Sequence, residues 1–191
     1  MDPTALLLRD TLLYLLMPLW LLTGFADYLC HRVLRIEHTA GIREALLHWL
    51  LLAEIGAGLA GAFFFEINAG MLALLLAACA AHEFTTWQDL LYASRQRRIP
   101  VAEQWVHSLQ LVLPWAGWIG LALLHWPQAL AMAGLGDARA EWTLHWKQPV
   151  VPVSYLIGLA SGSVCLVLLP FAEETLRCWR VNAATRRLPG A

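Results

Sequence analysis

Five apolar stretches, at roughly 11–30, 44–65, 70–92, 102–125 and 151–172, constrain this 191-residue chain more than any other feature. A helix rises about 1.5 Å per residue, so about 20 residues cross the roughly 30 Å hydrocarbon core of a bilayer. The spacing predicts an all-α integral membrane protein with five transmembrane helices in a single domain. Composition points the same way: 59% of residues are hydrophobic and 14% charged, where an average soluble domain carries about 25% charged. A disordered chain is excluded, and so is a nucleic-acid binder relying on excess positive charge, because the formal net charge is -1. Ten Trp suit anchors at a membrane–water interface. The four Cys show neither CxxC nor finger spacing, which argues against a disulfide framework.

The start, Met1-Asp2-Pro3-Thr4, lacks a basic region and a small-residue cleavage site, so the first apolar run reads as a retained span. Basic residues set the expected orientation. Arg32, Arg35 and Arg43 separate spans one and two; Arg95, Arg97 and Arg98 separate spans three and four; Arg177, Arg180, Arg186 and Arg187 follow span five. The alternate side receives only Arg9, Arg139 and Lys147. That asymmetry predicts a multi-pass protein of the inner (cytoplasmic) membrane, N-terminus outside and C-terminus cytoplasmic. The segment 126–150, with Trp126, Trp142 and Trp146, is expected to lie along the outer interface.

An acid precedes a histidine by four residues three times: Asp27/His31, Glu44/His48 and Glu103/His107. Random placement gives about 0.5 such pairs, and on a helix the spacing sets both side chains on one face, about 6 Å apart along the axis. With the expected topology, all three pairs fall at the cytoplasmic ends of their spans. Span three brings His82, Glu83 and Asp89 toward the same side. Four helices thus deliver carboxylates and imidazoles to one leaflet. Unpaired ionisable groups in a span are costly, and acids with imidazoles on facing helices suit a buried two-metal site inside a four-helix bundle.

The expected metal ligands are Asp27, His31, Glu44, His48, His82, Glu83, Glu103 and His107, with His38 in the loop Glu37-His38 as a further candidate. Asp89 is expected to orient a ligand histidine or to pair with an Arg, and Glu54 to act beside the ligands or as a proton relay. His125 and His145 read as interfacial residues. His82-Glu83-Phe84-Thr85-Thr86 begins like HExxH but lacks the second His, so a zinc-protease reading fails. Glu173-Glu174 followed by Arg177 has the wrong spacing for the double-glutamate motif of intramembrane CAAX-type proteases, and is set aside.

On Asp27-x3-His31, Glu44-x3-His48, His82-Glu83 and Glu103-x3-His107, roughly residues 20–110, the chain resembles at class level the membrane-embedded non-haem di-iron oxidases, hydroxylases and desaturases. The resemblance implies two iron ions and an oxidoreductase that takes a lipophilic small molecule from the membrane lipids, with electrons from a donor protein. Its polar end is expected at the cytoplasmic interface. Two zinc ions in a lipid hydrolase are the first alternative. A haem-b electron carrier is disfavoured by the excess of acids, and an ion or proton transporter by clustering in one leaflet.

Overall fold

The computed structural model describes residues 2–148 and 151–185. Arg186 and Arg187, used above for orientation, lie outside the described residues. Five helices are long and apolar enough to cross a membrane: α1 Pro3–Leu34, α2 Gly41–Phe64, α3 Ala69–Gln96, α4 Val101–Leu124 and, after the short α5 Trp126–Met132, α6 Val153–Thr185. Among the described residues the only β-pairing is an isolated bridge between Phe65 and Trp146. The first and last helices outrun the expected spans by about two turns or more. Pro3 is compatible with a first helical turn, which has no use for its missing N–H, and the polar tail of α6 after Phe171 continues the helix.

Proline shapes the two longest helices. Pro18 and Pro170 cannot donate to the preceding turn and crowd its carbonyls, and a π turn precedes each, at Leu12–Leu16 and Val164–Leu168. In α1 the Met17 N–H reaches back to the Leu12 carbonyl, which leaves the Leu13 carbonyl without a helical donor. The Tyr155 hydroxyl of α6 donates to it at 2.7 Å. A local defect of one span thereby becomes a tie to another.

Short connections force antiparallel neighbours. Helix α1 stops at Arg35, which adopts a left-handed conformation, and Gly41 (φ 65°) opens α2. Asn68 caps α3 by accepting from Met71 N–H at 3.0 Å. The helices pack side by side in the order α1, α4, α3, α2, α6 and back to α1. At the turn between α2 and α3, the extended chain after α5 crosses the helix ends: Gly70 N–H donates to Glu141 O at 3.0 Å and Lys147 N–H to Phe64 O at 2.8 Å. A Cβ at Gly70 would stand 2.7 Å from the Trp142 carbonyl oxygen, so only glycine permits this crossing.

The distribution of side chains reverses that of a soluble domain. Leu15, Leu22, Leu29, Leu50, Phe84, Trp105 and Ile119 face outward, while Asp27, His31, Glu44, His48, His82, Asp89, Glu103, His107 and Glu174 are buried. An exposed apolar exterior is what hydrocarbon solvates; the buried charges define the site.

Candidate metal centre

Asp27 and His31 lie one turn apart near the end of α1, Glu44 and His48 one turn apart at the start of α2, and Glu103 and His107 likewise on α4. Because each pair shares a face, packing α1 against α4 and α2 beside α6 brings all six inward. One donor atom from each of Asp27, His31, Glu103 and His107 falls within 4.8 Å of every other, and His31, Glu44 and His48 form a second such group. Asp27 Oδ1 is 3.5 Å from His31 Nε2 and 3.1 Å from His107 Nε2; Glu103 Oε1 is 3.4 Å from His31 Nε2 and 3.9 Å from His107 Nε2. Donors about 2.1 Å from one ion stand about 3.0–3.4 Å apart at angles between square and tetrahedral. These buried acidic and histidine residues could therefore hold a metal ion.

The decisive partner comes from α6. Glu174, fully buried, has one carboxylate oxygen 3.0 Å from His31 Nδ1 and the other 3.1 Å from His48 Nδ1. A carboxylate accepts, so both Nδ1 atoms must carry the hydrogen, and each Nε2 is left as a bare lone pair when the ring is neutral. The two imidazoles stack at 4.7 Å between centroids, 9° from parallel, held by this single bridge. Both Nε2 atoms are buried and make no hydrogen bond. His48 Nε2 points at Asp89 Oδ2, 3.6 Å away, and Asp89 Oδ1 is likewise unpartnered. Lone pairs facing carboxylate oxygens repel each other unless a cation or a proton lies between them.

The charges of the group do not balance when the imidazoles are neutral. Five buried carboxylates (Asp27, Glu44, Asp89, Glu103 and Glu174) converge on three imidazoles and one buried guanidinium. Arg97 supplies that guanidinium: Nη1 donates to Glu103 Oε2 at 2.8 Å, Nε to both Glu44 oxygens at 3.2 Å, and Nη2 to both acids. Its burial disfavours the charge, but Glu103 and Glu44 outweigh that and hold it above its ordinary range. With neutral imidazoles four negative charges remain, and with all three protonated one remains, so a cation or protons could balance the group.

The other expected site residues separate from this group. His82, seven residues and about 10 Å along α3 from Asp89, faces Glu54, with Nδ1 3.7 Å from Glu54 Oε2, and Thr85 donates to the other Glu54 oxygen at 2.8 Å. His82 and Glu83 are adjacent on a helix and cannot share a face. Glu83 turns outward, where it accepts from Trp115 Nε1 at 2.9 Å. His38 is half exposed beside Arg35 and Glu37, away from the buried group. Asp89 Oδ2 lies 3.6 Å from His48 Nε2 and pairs with no Arg among the described residues, while Glu174 bridges the Nδ1 atoms of His31 and His48.

Sequence reading passed over two of the residues that build the site. The motif reading sets Glu174 aside with a protease-like pattern, and Arg97 enters only as a topology determinant. The signal for Glu174 was an acid one turn beyond Pro170 on a span expected to end at the same leaflet as the other acids. Around the centre, Arg32 holds Glu173 at 2.6 Å and Arg177 holds Glu37, tying α6 to α1 and to the first loop.

A cavity of about 440 Å³ opens beside the group. Asp27, His48, Asp89 and His107 line its polar end, and Trp20, Leu21, Leu52, Leu59, Val167 and Phe171 are among its apolar walls. A second cavity of about 670 Å³ shares Met17, Trp20, Ile55 and Leu59 with it and extends toward Val151 and Lys147. No protein-family model, curated protein or solved structure matches the chain.

Proposed function

We propose that this chain is a membrane-embedded oxidoreductase with a dinuclear non-haem metal centre, iron in both positions, acting on a lipophilic substrate that enters from the bilayer. The observation that carries this reading is the pair of bare, buried Nε2 atoms of His31 and His48, oriented by one carboxylate toward several more. One position would be held by Asp27, His31, Glu103 and His107, the other by His48, Asp89 and Glu44. Mixed imidazole and carboxylate donors suit iron, and when bound it supplies the redox chemistry for activating dioxygen. The chain's own part is to hold and shield. Glu174 fixes two imidazoles through their Nδ1 hydrogens, Arg97 fixes two carboxylates, and Trp20, Leu52 and Phe171 keep water from the cavity beside them. Hydroxylation or desaturation consumes two electrons per dioxygen beyond those taken from substrate, so a cytoplasmic electron-donor protein is part of the proposal.

The N-out, C-in orientation belongs to the same proposal and puts the centre in the cytoplasmic leaflet, where such a donor can reach it. Tag accessibility in right-side-out and inverted vesicles checks it; a C-terminal tag facing outward would reverse the assignment. The chemistry is tested by metal analysis of the detergent-purified chain together with its visible spectrum. Two irons per chain without a Soret band is the expected result. Two zincs would transfer the reading to a lipid hydrolase, a Soret band to a haem carrier, and no stoichiometric metal would leave the acids paired only with Arg97 and protonated histidines.

A further inference from the structure

A third cavity, of about 470 Å³, lies at the end of α3 and the start of α4, lined by Ser94, Arg97, Arg98, Gln104 and Ser108. It meets the apolar cavity along one wall, because Thr86, Leu90 and His107 line both. The cavity thus abuts the candidate metal centre on one side and reaches the exposed Arg98, Gln104 and Ser108 on the other. Its hydrogen-bonding groups are unequally engaged. Ser94 and Ser108 donate to carbonyls of their own helices, and Gln104 Nε2 donates to Ile99 O at 3.0 Å. Arg97 is neutralised by Glu44 and Glu103. Arg98 is exposed and makes no ion pair among the described residues, so its guanidinium and the second amide hydrogen of Gln104 are the donors left over.

We infer that this vestibule seats the anionic headgroup of the substrate, an acidic amphiphile whose chain runs past His107 into the apolar cavity. The inference rests on the proposed function for what happens at the centre, but not for the binding itself. A free cation at the rim of this recess recognises a phosphate or carboxylate head, and the contiguous apolar space takes a chain that a soluble anion lacks. Gln104 is three residues from His107, about 4.5 Å along α4. A head held there presents to the centre the bonds only a few atoms from the headgroup, with the far end of the chain toward Leu59 and Leu159.

The test is lipid binding to the purified full-length chain in a neutral detergent, with dioleoyl phosphatidic acid, dioleoyl phosphatidylcholine and glycerol phosphate as probes. Phosphatidic acid should bind more tightly than phosphatidylcholine. Arg98→Ala should cut that preference about fivefold, the effect of one interfacial cation, while Arg95→Ala, outside the vestibule, leaves it intact. Gly56 lines the apolar cavity and a Cβ there meets nothing within 4 Å, so Gly56→Leu should weaken phosphatidic acid without unfolding the chain. A fatty acid with a diazirine near its carboxyl should label α4 around His107, and one with the diazirine at its tail should label Leu59 or Leu159. Equal losses from Arg95→Ala and Arg98→Ala would reduce the effect to general surface attraction and overturn the site. Glycerol phosphate binding as tightly as the lipid, or the reverse labelling order, would overturn it too. Metal content is read on the same samples: absence of metal with selective lipid binding would sink the redox reading and leave this site standing.

Discussion

At the end of the molecule where α2 turns into α3, the interior is Ile67, Met71, Leu72, Leu75 and Ala122, and the crossing chain satisfies exposed backbone groups by regular hydrogen bonds. At the opposite end, the same helices surround five carboxylates and three imidazoles with several polar atoms left unpartnered. The first arrangement lowers the free energy by close packing, and among the described residues none of its buried side-chain polar atoms lacks a partner. The second raises it, since removing charges from water costs several kcal/mol each unless they are fully paired. A chain that can build the first kind of interior has no stability reason to build the second. The polar end is therefore the candidate site, where a bound cation could compensate what folding alone does not.

The contrast breaks most visibly on removal of a donor. His48→Ala and His107→Ala should each lower bound metal about tenfold or more, because nothing in an apolar interior replaces a lost ligand. His125→Ala and His145→Ala, at the opposite end, should leave it at the unmutated level. Metal analysis on matched preparations gives the answer, and equal loss from both pairs would mean general misfolding.

Glu174 should come next. Glu174→Gln keeps one acceptor oxygen and turns an amide N–H₂ toward the other Nδ1–H, so one of the two imidazoles loses its anchor. An affinity loss of about 10-fold follows, the low end of what orienting partners contribute, with Glu174→Asp in between. Competition with a chelator of known affinity measures it. A merely structural Glu174 would lower the yield of folded chain and leave the affinity of what remains unchanged.

The packed end gives the mirror image. Leu72 is fully buried there, and Leu72→Ala should reduce unfolding stability by about 2–4 kcal/mol through lost contacts and a residual cavity. Metal per folded chain should stay the same. A fall in stoichiometry together with stability would show that the two ends are not independent.

How much of this was legible in the sequence follows the range of the interactions. The spans were legible because hydropathy is local, and the helices fall close to them, departing mainly where Pro3 starts α1 early and the polar tail prolongs α6. Asp27/His31, Glu44/His48 and Glu103/His107 were legible because each pair is one helical turn long and all three sat at matching ends. Glu174 carries no such mark: its partners His31 and His48 lie 143 and 126 positions away. Arg97 looked like its neighbours Arg95 and Arg98, and only the fold turns it onto Glu44, 53 positions earlier. Between His82 and Glu83 the sequence shows that one must face away, without saying which.

The smallest expected effect bears on that last choice. His82 is expected as a ligand, yet its Nδ1 faces Glu54, about two helical turns from Asp89, and Glu54 is itself held by Thr85. It lines the apolar cavity without belonging to either group of converging donors. If the centre is built as proposed, His82→Ala should change bound metal by less than about twofold, since it removes neither a donor nor an orienting carboxylate. Turnover of a lipophilic substrate should fall more than metal content does, because an imidazole beside the chain path is replaced by empty volume. His82→Phe then sharpens the result: it refills the volume without a nitrogen, so recovery of turnover would assign His82 to shaping the cavity, and continued loss to its polar contact with Glu54. A metal loss matching that of His48→Ala would instead extend the coordination along α3 about two turns beyond Asp89, and would require the helices to close around the ion.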